Sequence, residues 1–378
     1  MEQKTMKAWI LYGFNDIRLE ERPIPELHDG WVLCRIEAFQ PSVTEVQRIK
    51  GFGVEGLEKV TKRLEKNGPS QMFGHEFSGR VVEVGTNVKR LKVGDRVALR
   101  EVRGHCGRCE ACKSGHFEDC TDRQWIGIDY PGAFAEYVAI PEEIVGKVPL
   151  SLTPRQACCI QPLTAVISDV DNANIQMNDT VVILGAGVLG LSCIQLCHLR
   201  GAGTVIVSDI NPANLEVAKK LGADVVVNGK EESIIDVVKE VTGGLGAEVV
   251  FECAGGNPAQ GLAGGVTLGQ AFEVVRKNGT IIQLAHVLPG HEVPFELKVL
   301  RKKGIHYIGH HSAQQKHFDY AVKMISNGRI NVDITVTHEL EGIEKLPEAF
   351  EITGAKGKYH AINPAQVTVW KADDSEVK

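Results

Sequence analysis

Four thiols fall within one short stretch, CGRCEACKSGHFEDC, where Cys106, Cys109 and Cys112 follow CxxCxxC and Cys120 comes after seven further residues. One turning loop can bring thiolates at this spacing to the corners of a tetrahedron, which is the coordination that zinc prefers. Gly107 and Gly115 ease the turns, and Arg108 and Lys113 are placed to offset the negative charge of a zinc ion held by four thiolates. Four protein ligands leave no open position for water or substrate, so this spacing predicts a structural zinc rather than a catalytic one. Cys158, Cys159, Cys193, Cys197 and Cys253 sit in apolar surroundings and read as reduced core residues.

A second chemistry is written in TVVILGAGVLGLSCIQLCHLRGAGTVIVSDIN, an apolar run, a glycine turn, a helical pattern and a second apolar run ending in an acid. This is the βαβ dinucleotide fingerprint. Gly185 permits the tight turn, Gly187 lets the backbone approach a pyrophosphate, and Gly190 allows close packing of helix on strand. Val188 and Leu189 complete the turn, whose helix N-terminus faces the phosphates. Asp209 stands 19 residues after Gly190, where a carboxylate bonds the adenosine ribose and repels the extra phosphate of NADP. No Arg follows it, so NAD is the expected cofactor.

These groups need elements to hold them. Beyond Asp209 the chain alternates LGADVVV, a helix through EESIIDVVKEVTGG, the run AEVVFECAGG, a helix around LGQAFEVVRKNG, and GTIIQLAHVLPG. That pattern predicts a doubly wound parallel sheet, with Cys253 and Ala254, and the segment from Ala285 to Leu288, flanking the nicotinamide end. The first 150 residues carry short alternating runs such as WVLCRIEA and GRVVEVG between turn signals, which predicts a compact, mostly β domain. INVDITVTHELEGIEKLPEAFEITG and the final INPAQVTVW are expected to rejoin it, leaving the active cleft between two domains.

The chain of 378 residues, 43% of them hydrophobic, is long enough for two cores. Its formal charge of −6 is scattered, which excludes a basic stripe for nucleic acid or an anionic membrane and points to small-molecule partners. No apolar run approaches the roughly 20 residues of a spanning helix, and no basic-then-apolar leader opens the chain, so a cytoplasmic location is expected.

GHEFSGRVVEVG, the cysteine loop, GAFAEYV, the QPL after Ile160, GAGVLG with Asp209, and the C-terminal helix and strand together resemble the zinc-containing medium-chain alcohol and polyol dehydrogenases. The resemblance covers nearly the whole chain. It implies a GroES-like β-rich catalytic domain over 1–159, an NAD-binding Rossmann domain over 160–305, a return to the catalytic domain over 306–378, and a homodimer or homotetramer. It also implies a catalytic zinc held by the Cys of a GxCGTD loop, the His of GHE, and a Glu or Cys before a Pro-Leu pair.

Here the loop reads AFQPSVTEVQ, with Ser42 at the cysteine position, and Gln161 stands at the third ligand position beside His75. A neutral hydroxyl and a neutral amide replace two anionic donors, so catalytic zinc is expected to bind weakly or not at all, with Glu76 able to complete a hybrid site beside His75. Thr44 matches the hydroxyl that bonds the substrate oxygen, while Gln47 stands where several relatives place a relay His. Candidate proton acceptors are His75 and, from the IGHHSAQ segment, His310 or His311.

GFGVEGLEKVTKRLEKNGPSQM inserts a charged helix with Val54, Leu57, Val60 and Leu64 on one stripe, as a lid, a pocket wall or a solvated decoration. The expected activity is NAD-dependent hydride transfer at a secondary alcohol or ketone of a polyol, cyclitol, sugar or hydroxy acid. The alternatives are a zinc-independent reductase of activated C=C bonds, a transient-oxidation enzyme, and a non-catalytic NAD-binding module.

Overall fold

A computed structural model describes residues 4–53, 56–256, 263–287, 293, 297–310 and 313–370. The chain divides into two compact units.

The first unit comprises Met1–Pro162, Gln314–Arg329 and Val336–Lys378. Its main sheet runs in the order Val145–Val148, Arg96–Leu99, Glu76–Val84, Trp31–Gln40, Gln366–Thr368 and Glu339–Glu341, with Tyr137–Pro141 also pairing to Trp31–Gln40. The alternating runs read in the sequence become strands whose inward side chains, among them Val32, Cys34, Ile36, Phe39, Phe77 and Val81, fill one core. Register is what matters for chemistry. Gln40 pairs with Glu76 across the antiparallel ladder, and Phe39 pairs with Val367 on the other side. The strand ends therefore deliver the segments after Gln40, before Glu76 and around Gln366 to one place.

The inserted helix spans Leu57–Asn67, and Gly68 closes it at φ +69° with its N–H bonded to Leu64 O at 2.8 Å. Val60 is fully buried and Leu64 packs against the same core, as the stripe requires, while Val54 lies outside the described residues.

The second unit comprises Leu163–Ala313 and Ile330–Thr335. Its six-stranded parallel sheet has the order Val225–Asn228, Thr204–Asp209, Thr180–Leu184, Ala247–Glu252, Val275–Gln283 and His306–Gly309. In chain order this is 3-2-1-4-5-6, the doubly wound arrangement whose strand order reverses beside the first strand. Continuous apolar strands such as Val181–Leu184 are buried on both faces because helices cover them.

Three expectations shift. The sheet domain does not end at residue 305, because His306–Gly309 pairs with Thr280–Gln283 as a sixth parallel strand. Within the return segment, Ile330–Thr335 stays with the second unit, where the Asn331 N–H donates to Gln195 Oε1 at 2.8 Å. The helix around LGQAFEVVRKNG stops at Val274, and Val275 onward is already strand, since β-branched Val274 and Val275 lead into the ladder with Ala247–Glu252.

Candidate active site

The segment after Gln40 turns into the helix Val43–Ile49, and SVTE at its start is a capping box. Ser42 Oγ accepts the Glu45 N–H at 3.1 Å, and Glu45 Oε2 accepts the Ser42 N–H at 3.1 Å. Glu45 has a second task. Its Oε1 accepts the backbone N–H groups of Gly74 at 2.7 Å and His75 at 3.1 Å, and lies 2.7 Å from His75 Nδ1. Gly74 has φ +90°, and a Cβ there would meet Phe134 N at 2.6 Å, so only glycine makes this turn.

The carboxylate of Glu45 fixes the imidazole with Nδ1–H toward it and Nε2 directed away. Burial opposes the charged form of His75, but the Glu45 charge and hydrogen bond, aided by Glu76, outweigh it and raise its pKa, with Arg48 acting against them. For Glu45, burial is outweighed by His75 and by the Gly74 and Ser42 N–H bonds, so its carboxyl is held below the usual range. Glu76 moves the other way, since burial dominates over His75 and Gln40.

Glu76 Oε1 lies 3.8 Å from His75 Nε2, and Oε2 accepts from Gln40 Nε2 at 2.5 Å. Gln40 Oε1 in turn accepts from Asn363 Nδ2 at 2.7 Å and Gln366 Nε2 at 2.8 Å. Behind this group sits Lys356, whose ammonium donates to Ile362 O at 3.0 Å and whose pKa is pushed down to about 8 by burial, with Glu76 opposing.

The structure thus joins His75, Glu76 and Ser42 through two residues that the sequence reading missed, Glu45 and Gln40. The capping-box pattern and the acid of GxCGTD pointed to Glu45; nothing local pointed to Gln40, Asn363, Gln366 or Lys356. Thr44 is half-buried on the same helix, and Gln161 is half-buried near the start of the helix Ile160–Asn172. Gln47 is buried within the unit rather than exposed for relay.

As a zinc cage this set is poor. Ser42 Oγ already caps a helix, Gln161 is neutral, and Glu76 is tied to Gln40. Among the described residues, the one group of three or more His, Cys, Asp or Glu side chains at ligand spacing is Cys106, Cys109, Cys112 and Cys120. Their ligand atoms lie within 4.8 Å of one another, close to the roughly 3.8 Å separation of sulfurs around tetrahedral zinc with bonds of about 2.3 Å. Backbone N–H groups of Cys106, Cys109 and Cys112 point at the sulfurs of Cys120, Cys106 and Cys109 at 3.3, 3.4 and 3.5 Å, which suits thiolates. Arg108 does not serve as expected, because it pairs with Asp122 at the surface.

In the second unit Gly185 and Gly190 take the turn and close-packing positions expected of them. Gly185 has φ +104° and a Cβ on Gly190 would sit 1.8 Å from Gly185 O, whereas a Cβ on Gly187 would meet open space. Gly187 caps the helix Val188–Leu199, so the N–H groups of Val188 and Leu189 face out of its N-terminus. Asp209 ends its strand with Oδ2 accepting the Ala186 N–H at 2.6 Å and Oδ1 the Asn211 N–H at 2.8 Å.

The Cys253 thiol is engaged with Cys193, and the Ala254 N–H donates to Glu252 Oε1 at 3.0 Å. His310 Nδ1 lies 2.7 Å from buried Asp169 Oδ2. His311 and Leu288 lie outside the described residues.

A nucleotide-binding parallel sheet joined to a β-rich unit with a cysteine loop defines a two-domain dinucleotide-dependent oxidoreductase. The family models agree: residues 28–150 match the alcohol dehydrogenase GroES-like domain and residues 188–327 match the zinc-binding dehydrogenases. The chain is 30% identical over 361 residues to D-arabitol-phosphate dehydrogenase of Enterococcus avium, covering 92% of this chain and 96% of that one. It is 35% identical over 361 residues to L-threonine 3-dehydrogenase of Pyrococcus abyssi, covering 93% and 96%. A zinc-binding dehydrogenase from Sinorhizobium meliloti, solved with NADP, superposes with a TM-score of 0.80 at 28% identity, covering 98% and 100%. The chain belongs to the zinc-containing medium-chain dehydrogenase superfamily, with a Rossmann sheet and a GroES-like domain. Among the described residues no helix is long and apolar enough to cross a membrane.

Proposed function

We propose that this chain is an NAD-dependent dehydrogenase that interconverts a secondary alcohol and its ketone on a polyol-like or hydroxy-acid substrate, using hydrogen bonds in place of a tightly held catalytic metal. The observation that carries this reading is the Glu45–His75 pair, an imidazole oriented by one carboxylate, with Glu76 on its other side held by the Gln40 amide. The polar substrate class is supported by relatives named for arabitol phosphate and sorbitol.

NAD supplies the hydride acceptor at the nicotinamide ring. Oxidation then requires a place for the hydroxyl proton. His75 Nε2 receives it, and the resulting imidazolium is stabilised by Glu45 at Nδ1 and by Glu76 on the other side. Thr44 bonds the substrate oxygen and orients it. In the reverse direction the same imidazolium returns the proton to the carbonyl oxygen. Asp209, whose negative charge would meet an adenosine 2′-phosphate, supports NAD over NADP. The four-cysteine loop holds structural zinc.

Metal analysis together with turnover tests this reading. The expected result is about one zinc per chain, with NADH formed from polyols and no loss of rate after mild chelation. About two zincs, or net NADH consumption by enones without alcohol oxidation, would overturn it.

A further inference from the structure

We infer that Glu252 is a positioning residue for the cofactor, whose carboxylate fixes the Ala254–Gly255 turn as the wall against which the nicotinamide half of the dinucleotide is placed. The inference rests on the dinucleotide-dependent reading above and gives that site a residue outside the glycine fingerprint.

Glu252 is the last residue of the strand Ala247–Glu252, in register with Leu184 on one side and Gln283 on the other. Its strand and Thr180–Leu184 are neighbours where the strand order reverses, and an open parallel sheet leaves a crevice for its ligand at that point. The side chain is fully buried there. Its Oε1 accepts the Ala254 N–H at 3.0 Å, the Gly255 N–H at 3.0 Å and the Thr267 hydroxyl at 2.7 Å. Thr267 lies in the first turn of the helix Val266–Val274, whose N-terminus favours negative charge. Burial still drives the Glu252 carboxyl up toward its neutral form, with those three bonds opposing. Oε2 is buried without a hydrogen-bond partner. An oxygen in that state costs stability, and such costs concentrate where a site demands the group.

The turn that Glu252 holds is pressed between two neighbours. On one side, a Cβ on Gly185 would lie 2.9 Å from Ala254 Cβ, so the glycine turn and Ala254 pack directly. On the other, a Cβ on Gly255 would lie 2.6 Å from both Ala285 Cβ and His286 O, and the Gly256 N–H donates to His286 O at 2.7 Å. The backbone O of Glu252 accepts the N–H groups of Leu284 at 2.9 Å and Ala285 at 3.1 Å. Its main chain thus holds the segment after Gln283, while its side chain holds the turn after its own strand. The glycine turn has separate anchors: the Gly185 N–H donates to Ser208 O at 2.7 Å and the Ala186 N–H to Asp209 Oδ2 at 2.6 Å. Loss of the Glu252 carboxylate should therefore displace the nicotinamide side and leave the adenosine and pyrophosphate side in place.

The test titrates the full-length chain with NADH against ADP-ribose, and with NADPH against 2′-phospho-ADP-ribose, so it stands whichever dinucleotide is preferred and whether or not an alcohol turns over. In Glu252→Ala the reduced dinucleotide should bind at least about tenfold more weakly, while its matching fragment changes by less than about twofold. The fluorescence of the bound nicotinamide should shift toward that of the free dinucleotide. Glu252→Gln keeps an accepting oxygen and should stay within about threefold of the wild type. Thr267→Val removes one donor at a half-buried position and should show the same selective loss at about threefold; if Glu252→Ala does not fold, the presence or absence of that loss decides. Equal weakening of dinucleotide and fragment, undisturbed binding in Glu252→Ala, or a Glu252→Gln protein as impaired as Glu252→Ala would overturn the inference, as would a wild type that binds neither pair. Selective loss in a chain that oxidises no alcohol sustains it and counts against the dehydrogenase reading alone.

Discussion

The cysteine loop and the His75 cluster occupy the same unit and both gather donor groups around a point, yet they are built from opposite materials. In the loop, four soft anionic donors come from 15 consecutive positions, Cys106 to Cys120, and few other side chains compete for them. Around His75 the donors come from distant segments, two are uncharged, and Ser42 Oγ, Glu45, His75 Nδ1 and Glu76 Oε2 are each engaged by a neighbour. The difference teaches that the presence of a histidine and a glutamate does not make a metal site. What counts is how much negative charge is available and whether it is spent elsewhere.

The largest effect that would sharpen this contrast is at the loop. Cys112→Ser should abolish zinc in the purified protein and cost about 3 kcal/mol or more, lowering the first thermal transition by roughly 10 °C. Mass spectrometric metal analysis with calorimetry checks both. A variant that keeps its zinc and melting temperature would erase the distinction.

The next would rebuild the missing charge. Ser42→Cys with Gln161→Glu should raise zinc content from about one to about two per chain. A content that stays near one would show that the grip of Gln40 on Glu76, rather than donor identity, governs the site.

Glu45→Gln removes the charge that holds His75 and should cost about 2–3 kcal/mol by chemical denaturation near pH 5.5. The pH dependence has a definite sign. Glu45 has a lowered folded pKa, so its contribution is present above its ordinary value of 4.5 and is lost as pH falls through the folded value. His75 has a raised pKa, so its contribution is complete below its ordinary value of 6.5 and is lost as pH rises through the folded value. The gap between wild type and variant should therefore be widest between those two values and narrow on either side; a flat gap would remove the ion pair from the account.

The smallest effect belongs to Gln40→Ala, which leaves Glu76, Asn363 and Gln366 each short of one partner and should cost about 1–2 kcal/mol. A several-fold fall in turnover rate with little change in KM would mark Gln40 as positioning Glu76. Unchanged kinetics would make it packing alone.

The parts of the molecule that were legible in the sequence are those whose geometry is settled over a few turns of chain. Gly185, Gly187, Gly190 and Asp209 lie within one βαβ unit, so spacing alone predicted the turn at Gly185 and the close packing at Gly190, and the cysteine loop is likewise local. The His75 surroundings resisted that reading because Gln40 meets Asn363 and Gln366 from more than 300 positions away, through strand register that no local pattern encodes. The unit limits were obscured for a related reason: Ile330–Thr335 is apolar enough for either core, and only pairing with Gln195 shows where it belongs.

The bond from the Ala186 N–H to Asp209 links the glycine turn to the tip of the neighbouring strand before any nucleotide arrives. A cradle tied down in this way gives up little freedom when the cofactor docks. Coenzyme capture should therefore resemble the seating of a key in a cut lock, fast and with small entropy loss, and substitutions at residue 209 should be felt first as a slower arrival.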